Sequence, residues 1–368
     1  MTACPDDDTL GAMVDRSLAA DALESVSTHL DDCATCRAVV LAAVRGGIGA
    51  QPIADTAPVT VVERTPVSGA PSFTVGGKIG RYDVHALIGG GGMGHVYEAH
   101  DKELDRAIAL KILRPELRSS TAVLAERLIR ESRMMAKVVH PSVITVYDVG
   151  REGDAVFIAM ELIRGDTLGG YARGKPWQQI VALYERAGEG LAAAHEAGIV
   201  HRDFKPDNVL IDTATERVVV TDFGIARTGT AGDVATGERP AVGDVKLTTT
   251  GAAIGTPAYM APEQLAGRPI DVRADVFAFS VSLWEGLFGE RPFPGTTVKA
   301  IEEAMRRPPR AVAGASVPRR VVKILERGLA IDPDDRWSAL SPMLSELAAA
   351  RRGRRGAWIA AAAIAVAA

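Results

Sequence analysis

In residues 82–113 and 143–160 apolar and polar side chains alternate, whereas in 121–139, 177–197 and much of 272–348 the apolar ones recur every third or fourth position. Alternation lays one side of an extended chain on a core, and the longer period does the same for one stripe of a helix. The order is strands first and helices after. It predicts an α+β fold in which a β-rich lobe is joined to an α-rich lobe. The 368 residues suffice for two or three folded units. With 47% apolar and 24% charged residues, collagen-like, disulfide-scaffold and wholly disordered classes are excluded. A net charge of −4 offers no broad basic field, so nucleic acid is not an expected partner.

Ahead of the strands, Leu10, Met13, Val14 and Leu18, then Leu23, Val26 and Leu30, stand at helical spacing, and Asp21 with Glu24 resembles a helix cap. From residue 46 periodicity gives way to Gly, Pro, Ser, Thr and Ala, the composition of a flexible linker. These shifts divide the chain into a small helical module (1–45), a linker (46–79), a two-lobed domain (80–348, with lobes 80–163 and 164–348) and a tail (349–368). Residues 228–246 interrupt the second lobe with a stretch lacking any apolar period, the mark of a functional or disordered loop.

Gly89-Gly90-Gly91-Gly92-Met93-Gly94-His95-Val96 fits G-x-G-x-x-G-x-V, in which missing side chains let backbone N–H groups approach phosphate oxygens. Alone it also fits a flexible turn or a dinucleotide-binding turn. The latter needs a helix directly after the glycines and an acid about 20 residues on; here strand-like sequence follows, and Lys111 lies where the acid belongs. Lys111 itself sits in the apolar strand Ile108–Leu113, where an ammonium needs a partner. Glu131, in the helical stretch 127–138, is available for an ion pair.

Further on stand His201-Arg202-Asp203-Phe204-Lys205-Pro206-Asp207-Asn208, then Asp222-Phe223-Gly224 beginning 14 residues after Asn208, then Ala261-Pro262-Glu263. With the glycine stretch and Lys111, these five ordered motifs resemble those of the eukaryotic-like Ser/Thr protein kinases of bacteria, over about residues 80–348. The resemblance implies the bilobal kinase fold and transfer of the ATP γ-phosphate to protein serine or threonine hydroxyls, in signal transduction. It implies that Gly89, Gly91, Gly94 and Val96 cover the ATP phosphates, that Lys111 contacts them, and that Glu131 holds Lys111 in place. Asp203 takes or orients the hydroxyl proton, Lys205 neutralises the γ-phosphate, and Asn208 and Asp222 are Mg²⁺ ligands. Met160 is the gatekeeper, or plain core packing, and Glu161-Leu162-Ile163 the strand whose backbone pairs with adenine. Asp275 holds the catalytic loop, Glu263 pairs with Arg336, and Thr256 steadies Asp203 and Lys205. The alternative is a pseudokinase scaffold on the same fold, which is normally betrayed by loss of the lysine or of either aspartate; none is lost here.

Arg202 beside Asp203 marks, in this family, kinases whose loop after Asp222 must be ordered for activity. Thr248 and Thr250 are the expected phosphorylation sites, filled by autophosphorylation between two molecules, a transient or stable dimer; the other reading of Thr248-Thr249-Thr250 is a polar loop.

All three cysteines, Cys4, Cys33 and Cys36, fall in the first 36 residues. His29-Leu-Asp-Asp-Cys33-Ala-Thr-Cys36 gives one imidazole and two thiolates the spacing of a tetrahedral Zn²⁺ site, with Cys4 as fourth ligand. This arrangement resembles the zinc-binding anti-sigma domains, which implies a module that senses or docks a partner not named by the sequence. Buried thiols without metal, or a redox pair, are the other readings. The N-terminus lacks the basic-then-apolar order of a signal peptide, which places the catalytic body in the cytosol. At the other end Arg351, Arg352, Arg354 and Arg355 precede the uncharged residues 356–368, with Trp358 at the boundary. Crossing a membrane takes about 20 residues. The chain therefore either stops inside a membrane anchor, as the resemblance favours, or ends in an alanine-rich soluble helix.

Overall fold

The computed structural model describes residues 26, 29, 75–91, 94–113, 122–153, 155–223, 257–309 and 316–352. The chain divides into two units, Met1–Val59 and Thr60–Ala368. In the first, Val26 and His29 are both helical and Val26 is buried. The remainder of the expected helical module, Cys4, Cys33 and Cys36 included, lies outside the described residues.

The second unit opens with an antiparallel sheet of six strands: β1 (Lys78–Ile79), β2 (Tyr82–Gly91), β3 (Gly94–Asp101), β4 (Arg106–Leu113), β5 (Val146–Glu152) and β6 (Ala155–Glu161), in the order β1-β2-β3-β4-β6-β5. β1 falls inside the stretch expected to be linker, because two residues are too few to show a period. Alternation explains the sheet's two faces. Tyr97, Ala99, Ile108, Leu110, Ile112, Phe157 and Ala159 share one face and build the core of this lobe with Ile79, Tyr82 and Val84. Ala109, Ile158 and Met160 point the other way and join the larger core that continues into the second lobe. Helix α1 (Ala122–Met135) connects β4 to β5.

The second lobe contains a short β7 (Gly165–Thr167), α2 (Leu168–Ala172), α3 (Trp177–Glu196), β8 (Val209–Asp212), β9 (Val218–Val220), α4 (Pro262–Leu265), α5 (Val272–Phe288), α6 (Val298–Met305), α7 (Arg319–Gly328) and a last helix, α8, over 340–352. The sheet β7-β8-β9 is a departure from the expected strands-then-helices order. Its strands are three or four residues long, below the length at which alternation separates from chance. α5 is buried from Ala274 through Trp284, the pattern of a helix enclosed on all sides. The Asp271 side chain caps its start by accepting from Arg273 N–H, and Gly289, with φ 74°, ends it in the left-handed conformation that glycine adopts without strain. α8 runs past residue 348, and Arg351 donates two hydrogen bonds from Nε and one from Nη2 to the Glu185 carboxylate, the last at 2.7 Å. That arginine, expected to belong to a basic segment beside a membrane, is taken up by the catalytic body. Among the described residues no helix is long and apolar enough to cross a membrane, and residues 353–368 lie outside them.

The expected Glu263–Arg336 pair ties α4 to the segment after α7. Arg336 donates to Glu263 Oε1 and Oε2, both at 2.7 Å, and to the carbonyls of Ala330, Arg273 and Ile331 at 2.7, 3.0 and 3.1 Å. Every N–H of a guanidinium is thus engaged, which is what allows a fully buried charge here. Truncating one partner of such a pair strands the other in the core. Glu263→Ala should destabilise the domain by about 3–5 kcal/mol in urea unfolding. Glu346→Ala, which frees the exposed Arg320 at a 2.8 Å pair, should cost no more than about 1 kcal/mol.

Candidate active site

Strand register assembles the first half of the site. Gly89 pairs with Val96, Val96 with Lys111, and Lys111 with Ile158, so these four residues form one row across β2, β3, β4 and β6. Residues in one row share a face, and this row lies on the face that carries Ala109 and Met160 toward the second lobe. At the end of the hairpin Gly91 pairs with Gly94. A Cβ at Gly94 would stand 2.2 Å from the Ile112 carbonyl oxygen, so only glycine permits this approach of β3 to β4. Residues 92 and 93 lie outside the described residues.

Lys111 crosses to the second lobe. Its Nζ lies 2.8 Å from Asp222 Oδ1, with side-chain exposures of 13% and 36%. Asp222 thus reaches this lysine from the second lobe, and Glu131, half-buried, stands on α1. Behind Met160 the space between Met135, Ile144, Met160 and Phe223 amounts to about 20 Å³, room for about one water.

The second half rests on the hairpin β8–β9. Val209 pairs with Val220 and Ile211 with Val218, and Thr221 N–H donates to the Asn208 carbonyl at 2.8 Å. Residues 14 apart in sequence are thereby brought side by side, Asn208 leading into the hairpin and Asp222 leaving it. The Asn208 amide donates to the Asp203 carbonyl at 2.8 Å and to Asp203 Oδ2 at 3.3 Å, and Lys205 Nζ is 3.4 Å from the same carboxylate oxygen. Lys111, Asp203, Lys205, Asn208 and Asp222, expected together from the sequence, are together.

The loop carrying Asp203 is pinned by Asp275, in the first turn of α5. Asp275 accepts from His201 N–H at 2.7 Å, Arg202 N–H at 2.8 Å and His195 Nε2 at 2.7 Å. Burial opposes its ionisation, yet the donors from His195 and His201 hold its carboxyl below the usual range. Those contacts stabilise a strained loop: Arg202 has φ 65°, a left-handed backbone that costs an L residue about 1–2 kcal/mol, and Asp222, on the other leg of the β8–β9 hairpin, has φ 55°. His195 was not singled out by the sequence. The signal available was a polar residue ending the apolar run Leu191–Ala194 of a helix whose neighbouring positions are buried.

On the far side of this loop a cavity of about 610 Å³ is lined by Asp207, Tyr184, Tyr259, Glu285 and Arg173 among others. Tyr259 donates to Glu285 Oε2 at 2.5 Å, and burial together with that carboxylate pushes its hydroxyl up, so it remains a donor. Thr248, Thr250 and Thr256 lie outside the described residues.

His201 is packed against Phe204 and Phe223, with ring centroids 5.8 and 4.6 Å away. Its Nε2 donates to the Thr221 carbonyl at 3.0 Å and its Nδ1 accepts from Asp203 N–H at 3.3 Å, which fixes the neutral tautomer protonated at Nε2. Burial pushes its pKa down, opposed by Asp275 and Asp203. The stability this group contributes is therefore complete above the ordinary imidazole pKa of about 6.5 and is lost as pH falls through the lower folded-state value. Long-range ¹H–¹⁵N spectra at about pH 6 should show this ring still neutral. A doubly protonated ring at that pH would contradict the assignment.

Comparison with known proteins agrees with this geometry. Residues 82–347 match the protein kinase domain family. Serine/threonine-protein kinase PknA of Mycobacterium tuberculosis is 35% identical over 284 residues, 75% of this chain and 62% of that protein. Kinase pkn3 of Myxococcus xanthus is 34% identical over 288 residues, 75% of this chain and 51% of its own length. The chain thus spans between half and two thirds of these relatives. The crystal structure of the Mycobacterium tuberculosis PknI kinase domain superposes with a TM-score of 0.59 at 24% identity, over 75% of this chain and 98% of that one, a likeness of fold. The chain belongs to the protein kinase domain family, among relatives that are bacterial serine/threonine-protein kinases.

Proposed function

We propose that this chain is a serine/threonine protein kinase that transfers the γ-phosphoryl group of ATP to serine and threonine hydroxyls of protein substrates. The observation that carries the reading is the meeting of Lys111, Asp203, Lys205, Asn208 and Asp222 at the mouth of the β8–β9 hairpin. In this reading Gly89, Gly91, Gly94 and Val96 line the phosphate path and Lys111 holds the phosphates, with Glu131 supporting it. The backbone of Glu161 and Ile163 receives adenine. Asp203 accepts the proton of the attacking hydroxyl, held in line by the Asn208 amide, and Lys205 balances charge growing on the transferred group. The hard oxygen donors of Asn208 and Asp222, adjacent across one hairpin, suit Mg²⁺, which when bound neutralises phosphate charge.

Regulation follows from Arg202, whose buried Nε has no hydrogen-bond partner among the described residues. A phosphate on Thr248 or Thr250 supplies acceptors for it, and a second molecule, in a transient dimer, is the donor. Asp203→Asn should lower turnover by roughly a thousandfold or more while nucleotide affinity changes little, because it removes a transition-state role. The same variant should carry no phosphate at Thr248 and Thr250 by peptide mass spectrometry. Full activity in Asp203→Asn would assign the base elsewhere, and equal loop phosphate in both proteins would exclude autophosphorylation.

For the remaining segments we propose a zinc-binding module at 1–45, a linker that ends before β1, a kinase domain that runs from β1 through α8, and an anchor beginning after it, with the catalytic body in the cytoplasm. Support for zinc comes from His29, whose Nε2 is buried without a hydrogen-bond partner among the described residues. It suits a site with Cys4, Cys33 and Cys36, and through it the docking of a further partner protein. One zinc per chain should be found by elemental analysis of the full protein, and Cys33→Ser with Cys36→Ser should abolish it.

A further inference from the structure

Residues 161–164, which lead from β6 into the second lobe, are gripped at both ends by one turn of that lobe. At the first end, register pairs Glu161 with Ile108, so its side chain lies on the face of the first-lobe core, opposite Lys111 and Met160. On that side the guanidinium of Arg217, at the end of the β8–β9 turn, forms an ion pair with the Glu161 carboxylate. At the other end the Arg164 carbonyl accepts from Thr213 N–H at 3.1 Å and from the Thr213 hydroxyl at 3.2 Å. The next residue, Gly165, runs so close to β8 that a Cβ there would stand 1.8 Å from the Ile211 carbonyl oxygen. The side chain of Arg164 reaches back to Glu98 on β3 at 2.7 Å.

The turn that does the gripping is itself stiff. The Asp212 carboxylate accepts from Ala214 N–H at 3.0 Å, Thr215 N–H at 2.9 Å and the Thr215 hydroxyl at 3.0 Å, and these bonds lower its pKa against the opposing effect of burial. Asp212 N–H donates to the Arg217 carbonyl at 2.9 Å, closing the hairpin, and the Glu216 carbonyl accepts from Arg186 at 3.1 Å. A stiff turn that holds a backbone segment at two points sets where that segment lies.

The ion pair is the side-chain half of this grip. Glu161 is 21% exposed and Arg217 35%, and the remaining buried atoms, Glu161 Oε2 and Arg217 Nε, have no other hydrogen-bond partner among the described residues. Each ion therefore depends on the other, unlike an exposed pair. Without Arg217 the carboxylate must turn toward water, and the backbone that carries it must follow.

We propose that Arg217 is a positioning residue for the nucleotide: acting through Glu161, it fixes the 161–163 backbone in the geometry that receives adenine. This rests on the reading of 161–163 as the adenine-binding strand. Arg217 reaches Glu161 from the face turned away from the cleft, so its effect falls on nucleotide affinity and not on the transfer step.

The test uses the full chain with Arg217→Ala, Arg217→Lys, Glu161→Gln and the double variant Arg217→Ala, Glu161→Gln. A fluorescent N-methylanthraniloyl-ADP titration and steady-state phosphorylation of myelin basic protein supply the readouts. Arg217→Ala should raise the ADP-analogue Kd and the KM for ATP about tenfold, the equivalent of about 1.4 kcal/mol. It should leave kcat at saturating ATP within about twofold and the KM for the protein substrate unchanged, the split expected when ground-state binding alone is lost. Arg217→Lys should recover most of the affinity, and the double variant should bind no more weakly than Arg217→Ala, because the two side chains act as one unit. Unchanged nucleotide affinity in both Arg217 variants, beside normal binding by the unaltered protein, overturns the inference alone. A fall in kcat together with a comparable rise in both KM values also overturns it, by reducing the pair to a structural tie. Absence of nucleotide binding by the unaltered protein overturns the adenine-strand reading itself, and the inference with it.

Discussion

The buried carboxylate of Asp275 is the fixed point of this molecule. It sits in the first turn of a helix otherwise enclosed in apolar side chains, where an unpaired charge would be untenable. Three donors from α3 and from the loop before Asp203 satisfy it, and the N-terminal end of α5 adds the favourable field of its own peptide dipoles. The consequence runs outward. Arg202, left-handed and next to Asp203 in sequence, is held in that costly conformation by the bond from its N–H to Asp275. Asp203 is thus positioned by a helix buried beneath it, through the backbone N–H groups of His201 and Arg202, which among substitutions on the loop only proline would remove.

The sheet of the first lobe and the hairpin of the second reach the site by different means. The sheet uses a period of two, which places Gly89, Val96, Lys111 and Ile158 in one row regardless of how far apart they stand in sequence. The hairpin uses proximity, carrying Asn208 and Asp222 on its two legs so that donors from both move as one body. The two constructions meet through Lys111 and Asp222, through the segment after β6, and through residues 142–144 before β5, where Val220 N–H donates to the Ser142 carbonyl at 2.9 Å and Ile144 N–H to the Val220 carbonyl at 3.0 Å. That division of labour lets one lobe present the glycine hairpin and Lys111 and the other present Asp203, Asn208 and Asp222.

Much of this was legible in the amino-acid order. The strands around Lys111 alternate cleanly, α5 reads as an unbroken apolar helix, and the motif residues stand in the order and at the spacings that carry the family resemblance. What escaped is instructive. β1 and the sheet β7-β8-β9 are too short to carry a period, so their existence depends on pairing partners distant in sequence. His195 looked like any polar residue near a helix end, and its importance comes from Asp275, 80 positions away. Arg217 and Glu161 are likewise 56 residues apart, and neither has a local pattern that would join them. Arg351 read as part of a basic cluster because a charge run is seen in sequence without the Glu185 that absorbs one member of it. Local chemistry is written in the sequence, whereas charge pairings across the fold were legible only where a motif marked both partners, as for Glu263 and Arg336.

The ion pair between Lys111 and Asp222 gives the cleft a character beyond holding two lobes in contact. Lys111 is paired with Asp222, and Lys205 with Asp203, so that among the described residues these two lysines of the cleft are compensated before any anion arrives. Entry of a polyanionic ligand is then a metathesis, in which one ionic contact is exchanged for another and the released carboxylate must find a cation of its own. The ionic-strength dependence of entry is set by the difference between two pairings, both partly shielded from the salt, and is shallower than that of a ligand captured by an open charge.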